Sequence, residues 1–285
     1  MKLSIHHETH YEYSAPLRYA LQSVRLTPEP SAHQTVLHWA LHAPGTLFAE
    51  RDGYGNHAHT WSFARRVYRG VIRAIGAVQT HASPELIDAS GVPPPQMYLR
   101  ATELTPFHRS LSDLGRGPLA KGVNADSLLT LAAAVRERVP YRADITTVTT
   151  NAVEALALGG GVCQDQAHVF IAACRSHGVP ARYVRGCTYS EDAQVLASHA
   201  WADVSIDMAE RRWLSVDITH GCLMDERHVR LAVGPDYAAC LPIRGVRSGG
   251  GKESMRVRVE IRPLAGAGLT YSSPAPPPRG GFQHG

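Results

Sequence analysis

Lysine is nearly absent. It occurs only at positions 2, 121 and 252, so almost all of the positive charge is arginine. The 29 basic and 25 acidic residues leave a net charge of +4, and the basic residues are scattered singly or in pairs such as Arg65-Arg66 and Arg211-Arg212. A nucleic-acid surface needs a concentrated basic stripe; none is present, and no nucleic-acid partner is expected. Cysteine is also scarce and odd in number: five residues (Cys163, Cys174, Cys187, Cys222, Cys240) with no C-x-x-C. That argues against a disulfide framework and against a zinc site built from closely spaced ligand pairs. It leaves at least one thiol that can be kept for its reactivity. No apolar run reaches the ~18 residues of a membrane span. The opening residues, Met1-Lys2-Leu3-Ser4-Ile5-His6-His7, lack the apolar block of a secretory signal. The expectation is a soluble, cytoplasmic protein without a membrane partner. What is present is ample for a core, since 44% of the 285 residues are hydrophobic and 19% charged.

Periodicity divides the chain. Leu3-x-Ile5, Tyr11-x-Tyr13, Leu37-x-Trp39-x-Leu41, Trp61-x-Phe63 and residues 67–78 alternate with polar neighbours, with turn signals at Asp52-Gly53 and Gly55-Asn56. Residues 1–82 are therefore expected to form an antiparallel, β-sandwich-like domain. Ser83-Pro84 and Val92-Pro93-Pro94-Pro95 mark a connector over 83–123. Helical spacing then sets in from Ala125 (Leu128, Leu131, Val135) until Pro140. Residues 151–158 fit a second helix, and 163–177 a third that follows Gly159-Gly160-Gly161 and stops at Gly178 and Pro180. Residues 182–189, 198–206, 212–218 and 255–261 read as strands. Helices followed by antiparallel strands define an α+β core over 124–262. The tail, 263–285, is rich in Pro and Gly and is expected to be disordered.

Cys163 opens the third helix, where unsatisfied backbone N–H groups and the helix dipole favour an anion and so a nucleophilic thiolate. Stepping back four residues from Ala167, on the apolar face Ala167, Phe170, Ile171, Cys174, lands on Cys163, so the sulfur points toward the surface the helix packs on. The plain alternative is a small buried cysteine.

The strands bear on that choice. His199, Trp201 and Asp203 share one face of 198–206; Trp213, Ser215 and Asp217 share one face of 212–218. A hairpin centred on Met208 places His199 directly opposite Asp217, within hydrogen-bonding reach; a one-residue bulge breaks that register. His199 then takes the thiol proton, and Asp217 holds the other ring N–H and stabilises the cation. The Cys163 N–H supplies half of an oxyanion hole, with Tyr141 as a positional candidate for the other half.

The same residues carry a resemblance. Gly161-Val162-Cys163-Gln164-Asp165-Gln166-Ala167-His168, Gly178-Val179-Pro180-Ala181-Arg182-Tyr183-Val184, Ser198-His199-Ala200-Trp201 and Asp217 resemble the bacterial transglutaminase-like family, a papain-related group with catalytic residues in the order Cys, His, Asp. The similarity continues through Asp225-Glu226-Arg227-His228-Val229, Gly234-Pro235-Asp236-Tyr237 and Pro242-x-Arg244-Gly245, and the β-rich start is similar to the region that accompanies that core. The resemblance covers about residues 1–262 and implies catalytic roles for Cys163, His199 and Asp217. Two departures bear on the pocket wall and on the turn after Asp217. Gln166 stands where relatives usually carry an aromatic, and Asp217-Ile218-Thr219-His220 replaces Asp-Pro-Thr-Asn.

Gln164, Asp165 and Trp201 are further candidates for substrate or oxyanion contact. Asp165 in the first turn also suits the helix dipole, and Trp201, with Trp213, suits either core packing or an apolar rim. His6-His7-Glu8-Thr9-His10 is one residue short of H-E-x-x-H, and His57-x-His59 reads as sheet surface. The expected function is a cysteine-dependent acyl transfer on peptide or glutamine-type amides through a thioester, with hydrolysis favoured. The alternatives are a protein-glutamine amine transferase, a non-catalytic module retaining the fold, and a metal hydrolase. No cofactor or metal is expected; the partner is a peptide or protein amide. The sequence does not disclose the oligomeric state.

Overall fold

Strand β1 (Lys2–Val24) alternates buried and solvent-facing residues through its first half, so Leu3, Ile5, His7, Thr9, Tyr11 and Tyr13 line one covered face. The computed structural model describes residues 1–191 and 198–264. Four further strands follow β1: β2 (Gln34–His42), β3 (Thr46–Arg51), β4 (His57–Phe63) and β5 (Val67–Thr80). The first half of β1 pairs with β5, and Ala20–Val24 pair with β4 after a register break between Glu12 and Leu17. Because β1 changes partners along its length, the antiparallel sheet curls over its own apolar residues, among them Tyr11, Tyr13, Leu17, Trp61, Phe63 and Ile72.

The connector expected over 83–123 contains structure of its own. Strand β6 (Glu85–Ile87) joins the core sheet beside Trp213, and helix α1 (Arg109–Gly115) packs on the helix over 163–176, burying Leu111. Helix α2 (Ala125–Arg138) starts at Asn124, whose side chain accepts from Ser127 N at 2.9 Å. Helix α3 (Ala152–Leu158) starts at Asn151, which forms a reciprocal capping box with Glu154. It ends at Gly159, whose φ of 63° is a left-handed conformation that glycine adopts without strain. Helix α4 (Cys163–Ser176) is the most deeply buried of the four.

The core sheet contains β7 (Ala181–Thr188), β8 (Ser198–Asp207), β9 (Arg212–Asp217), β10 (Cys222–Leu223) and β11 (His228–Gly234), in the order β10-β9-β8-β7-β11. Ala200, Ala202, Val204, Leu214 and Val216 share a hydrophobic core with Ala167, Phe170 and Ile171 of α4. The opposite face buries Val184, Trp201 and Trp213 with Leu86, Tyr98 and Met224. The arrangement is the α+β layering expected from the sequence.

Two strands correct the expected domain boundary. β12 (Ile243–Gly249) and β13 (Glu253–Pro263) are hydrogen-bonded to β1 and complete a seven-stranded N-terminal sheet, so the core sheet ends at β11 and not at residue 262. Alternation marks a segment as a strand but carries no information about which distant strand it pairs with. The tail expected from residue 263 lies, beyond Leu264, outside the described residues.

The N-terminal region docks on the free edge of β11 through side chains that imitate a neighbouring strand. Gln34 accepts from Arg230 N at 2.8 Å and donates to Arg230 O at 3.0 Å, and Asn56 does the same for Val233 at 2.7 and 2.8 Å. His33 Nε2 donates to the His228 carbonyl at 2.8 Å. An edge strand that would otherwise be left unpaired is thereby satisfied.

Candidate active site

Cys163 is the first residue of α4, so its N–H and that of Gln164 have no partner within the helix. The approach to it is shaped by Asp165, which is 1% exposed and accepts from Val162 N at 2.8 Å and Thr146 Oγ1 at 2.7 Å. A Cβ on Gly161 would sit 2.6 Å from that carboxylate, so only glycine fits there. Burial pushes the Asp165 carboxyl above its ordinary range, against those hydrogen bonds. Its place is in the turn that presents the thiol. Gln164 donates to Val148 O at 3.3 Å and ties the same turn to the 143–150 loop. Tyr141 pairs with Gly161 in a parallel bridge, with Arg142 N donating to Gly161 O at 2.7 Å. Its phenol is raised by burial and by the neighbouring Cys163, and its side chain stays half exposed.

His199 and Asp217 meet, by a different register from the one expected. Ala202 faces Val216 and Val204 faces Leu214, two residues away from a hairpin centred on Met208, with a bulge between Ser205 and Asp207. An even displacement preserves the face on which every side chain lies. His199 and Asp217 are therefore diagonal neighbours at the open end of the hairpin, and His199 Nε2 donates to Asp217 Oδ2 at 2.8 Å. The Cys163 thiol is near enough to the same imidazole to help raise its pKa. Burial by itself would lower the His199 pKa, but the bond to Asp217 and the Cys163 thiol outweigh it and carry the pKa up to about 10. Asp217 is 0% exposed, yet its imidazole partners hold it well below the usual carboxylate range.

Asp217 Oδ2 also accepts from His228 Nε2 at 2.9 Å and from His220 Nδ1 at 2.6 Å, and Asp217 Oδ1 accepts from His220 N at 3.1 Å. The sequence reading singles out neither histidine as part of the site. The available signals are the departure at His220 and the spacing of Asp225 and His228. Ligand atoms of His199, Asp217 and His220, and of Asp217, Cys222 and His228, lie within 4.8 Å of one another. Both groups share Asp217, whose Oδ2 already accepts from three imidazoles, so a cation there competes with those hydrogen bonds.

Trp201 has no exposed surface. Its ring lies 5.9 Å from His199 and meets His228 edge-on at 5.2 Å, so it packs beneath the imidazoles and forms no rim. Gln166 occupies the family's aromatic position as a buried bridge, donating to Val139 O at 2.8 Å and accepting from Thr219 Oγ1 at 2.6 Å. It ties the end of α2 to the turn after Asp217. Asp203, on the same sheet face, binds Arg182 at 2.9 Å and Arg230 at 2.6 Å, and accepts from Ser215. Arg182 also reaches Asp88 at 2.6 Å and lies 4.1 Å from the Trp213 ring centroid.

A helix-borne cysteine joined to a histidine–carboxylate pair at the end of an antiparallel sheet defines the papain-like class of α+β thiol sites. Residues 118–218 match the transglutaminase-like superfamily, and residues 3–79 match the bacterial transglutaminase-like N-terminal region. The chain thus carries a transglutaminase-like segment together with the N-terminal region that accompanies it in bacterial transglutaminase-like proteins. An uncharacterized protein of Mycobacterium leprae is 26% identical, with 93% of this chain and 99% of the relative aligned. One from Mycobacterium tuberculosis H37Rv is 28% identical over 92% and 93%. A solved chain from Cytophaga hutchinsonii, described as a candidate cysteine protease, superposes with a TM-score of 0.71 at 19% identity, covering 94% of this chain and 92% of that one. That likeness establishes the fold.

Proposed function

We propose that the protein is a cysteine-dependent acyl-transfer enzyme acting on peptide or glutamine-type amides, and that it works as a hydrolase. The observation that carries this reading is the buried His199–Asp217 hydrogen bond, with the Cys163 thiol at the helix start acting on the same imidazole. Transfer of the thiol proton to His199 gives a thiolate–imidazolium pair, stabilised by the buried carboxylate. The thiolate attacks the amide carbonyl carbon; a C–S bond forms, and the negative charge moves to the carbonyl oxygen. The Cys163 N–H at the start of α4 is aimed at that charge. When the tetrahedral intermediate collapses, the C–N bond breaks and His199 gives its proton to the departing amine. A water molecule, deprotonated by His199, then opens the thioester, releasing the acid and restoring the pair.

The surroundings suit an extended peptide. Tyr141, Ile145 and Val148 are 49%, 41% and 57% exposed, and all three belong to the segments bound to the Cys163 turn. Hydrolysis is preferred over amine transfer because water needs no second binding site.

The test is alkylation by iodoacetamide at neutral pH. Cys163 should react far faster than Cys222, whose thiol burial pushes up to about 11, and Cys163→Ala should abolish the fast phase. Equal rates at the two cysteines would refute the reading. With glutamine peptides and isopeptides, ammonia or amine release without incorporation of an added primary amine is expected. Efficient amine incorporation would favour transfer.

A further inference from the structure

The structure assigns His228 as a positioning residue for Asp217, held in place from behind by the N-terminal sheet. The assignment rests on the reading of Cys163, His199 and Asp217 as the reacting set. His228 has a side chain with no exposed surface and spans two carboxylates: Nε2 donates to Asp217 Oδ2 at 2.9 Å, and Nδ1 faces Asp225 Oδ1 at 3.0 Å. Burial opposes its protonation, but the bonds to Asp217 and Asp225 prevail and raise its pKa. The ring is backed by Trp201 at 5.2 Å.

The main chain around it is fastened at successive points to the other sheet. Thr80 Oγ1 donates to Glu226 O, His33 Nε2 to His228 O, and Gln34 pairs reciprocally with Arg230. His33 is itself lowered to about 4 by burial, and so donates as a neutral ring. The N-terminal region thus supports the segment whose imidazole shares Asp217 Oδ2 with His199.

The consequence is a competition around one carboxylate. His220 grips Asp217 through both its ring and its backbone N–H. The His228 bond falls on the same Oδ2 that His199 uses and helps to hold that oxygen at His199. Without it the carboxylate is free to turn toward His220, and His199 loses the partner that keeps it protonated.

His228→Phe tests this, read as the pH profile of Cys163 alkylation. The thiolate should then need a pH roughly one unit higher to form, which lowers the alkylation rate at neutral pH and below about tenfold. His228→Gln, whose amide can still donate to Asp217, should recover most of the loss, and His33→Phe should give a smaller shift in the same direction. A purely structural role for His228 would lower the amount of folded protein without moving the profile. If His228→Phe does not fold, by circular dichroism, Asp225→Asn removes the second anchor and should shift the profile the same way. An unmoved profile in a folded His228→Phe or Asp225→Asn protein overturns the assignment. Slow alkylation of wild-type Cys163 instead refutes the functional reading beneath it, so the two failures are distinguishable.

Discussion

His7, on β1 of the N-terminal sheet, and His199, on β8 of the core sheet, are comparably buried, at 3% and 7% exposure. Their imidazoles nevertheless move in opposite directions. His7 falls to about 4, through burial and the nearby Arg185, while His199 rises to about 10 against the same burial. His33 and His168 follow His7, each lowered to about 4 chiefly by burial, and His228 follows His199. What separates the two sets is a carboxylate at hydrogen-bonding distance. A buried imidazole without one stays neutral and acts as a packing group with a polar edge; with one its protonated form is favoured despite burial. The division follows the carboxylate and not the region, since His168 on α4 of the core stays with the neutral set.

The comparison is broken most completely by Asp217→Asn. The side chain keeps its shape but loses its charge, so His199 should behave like His7, and Cys163 alkylation at pH 7 should fall by on the order of 10²–10⁴-fold. Retention of wild-type reactivity would show that the carboxylate does not set the imidazole. The second disruption concerns a carboxylate on the same face that serves stability. Asp203→Asn leaves Arg182 and Arg230 buried with less compensation, at a cost of roughly 3–5 kcal/mol. That should appear as a drop in Tm on the order of 10 °C, with the reactivity of the surviving folded protein unchanged.

The pH dependence of stability sharpens the contrast. The folded pKa values of His7, His33 and His168 lie below the ordinary value of 6.5. Between about 6.5 and about 4 the unfolded chain therefore binds protons that the native chain refuses, and stability falls as the pH falls through that window. The paired histidines have the opposite sign: their contribution is complete below 6.5 and is lost as the pH rises toward the folded value, about 10 for His199. Urea unfolding at pH 7 and pH 4.5 should differ by a few kcal/mol, and His7→Gln should reduce that difference by about 1–2 kcal/mol. An unaltered difference would mean that His7 is not neutral in the folded state. The smallest effect is local: Asn151→Ala removes the α3 cap and should cost about 1 kcal/mol without touching either class of histidine.

Much of this organisation is legible before any coordinates. The onset of helical spacing at Ala125, the helix over 151–158 with the glycine run that stops it, and the start of α4 at Cys163 are local signals, because a helix end is decided by a few neighbouring residues. The shared face of His199, Asp203, Ser215 and Asp217 is equally local, since side chains alternate along any strand. For that reason the expected pairing of His199 with Asp217 survives a register displaced by two residues. The position of Gln166, by contrast, reads only as a departure from an aromatic pattern; its bridge between Val139 and Thr219 depends on two segments brought together by folding.

Residue order alone determined where helices begin and which strand residues share a face. Tertiary structure decided that β12 and β13 cross to the first sheet, that the hairpin carries a bulge, and that Asp217 is shared by three imidazoles. The reason is range. Propensity, capping and alternation act over a few residues, whereas strand partnership and the burial that sets an imidazole's charge depend on groups far apart in the chain, which are neighbours only once the whole is packed.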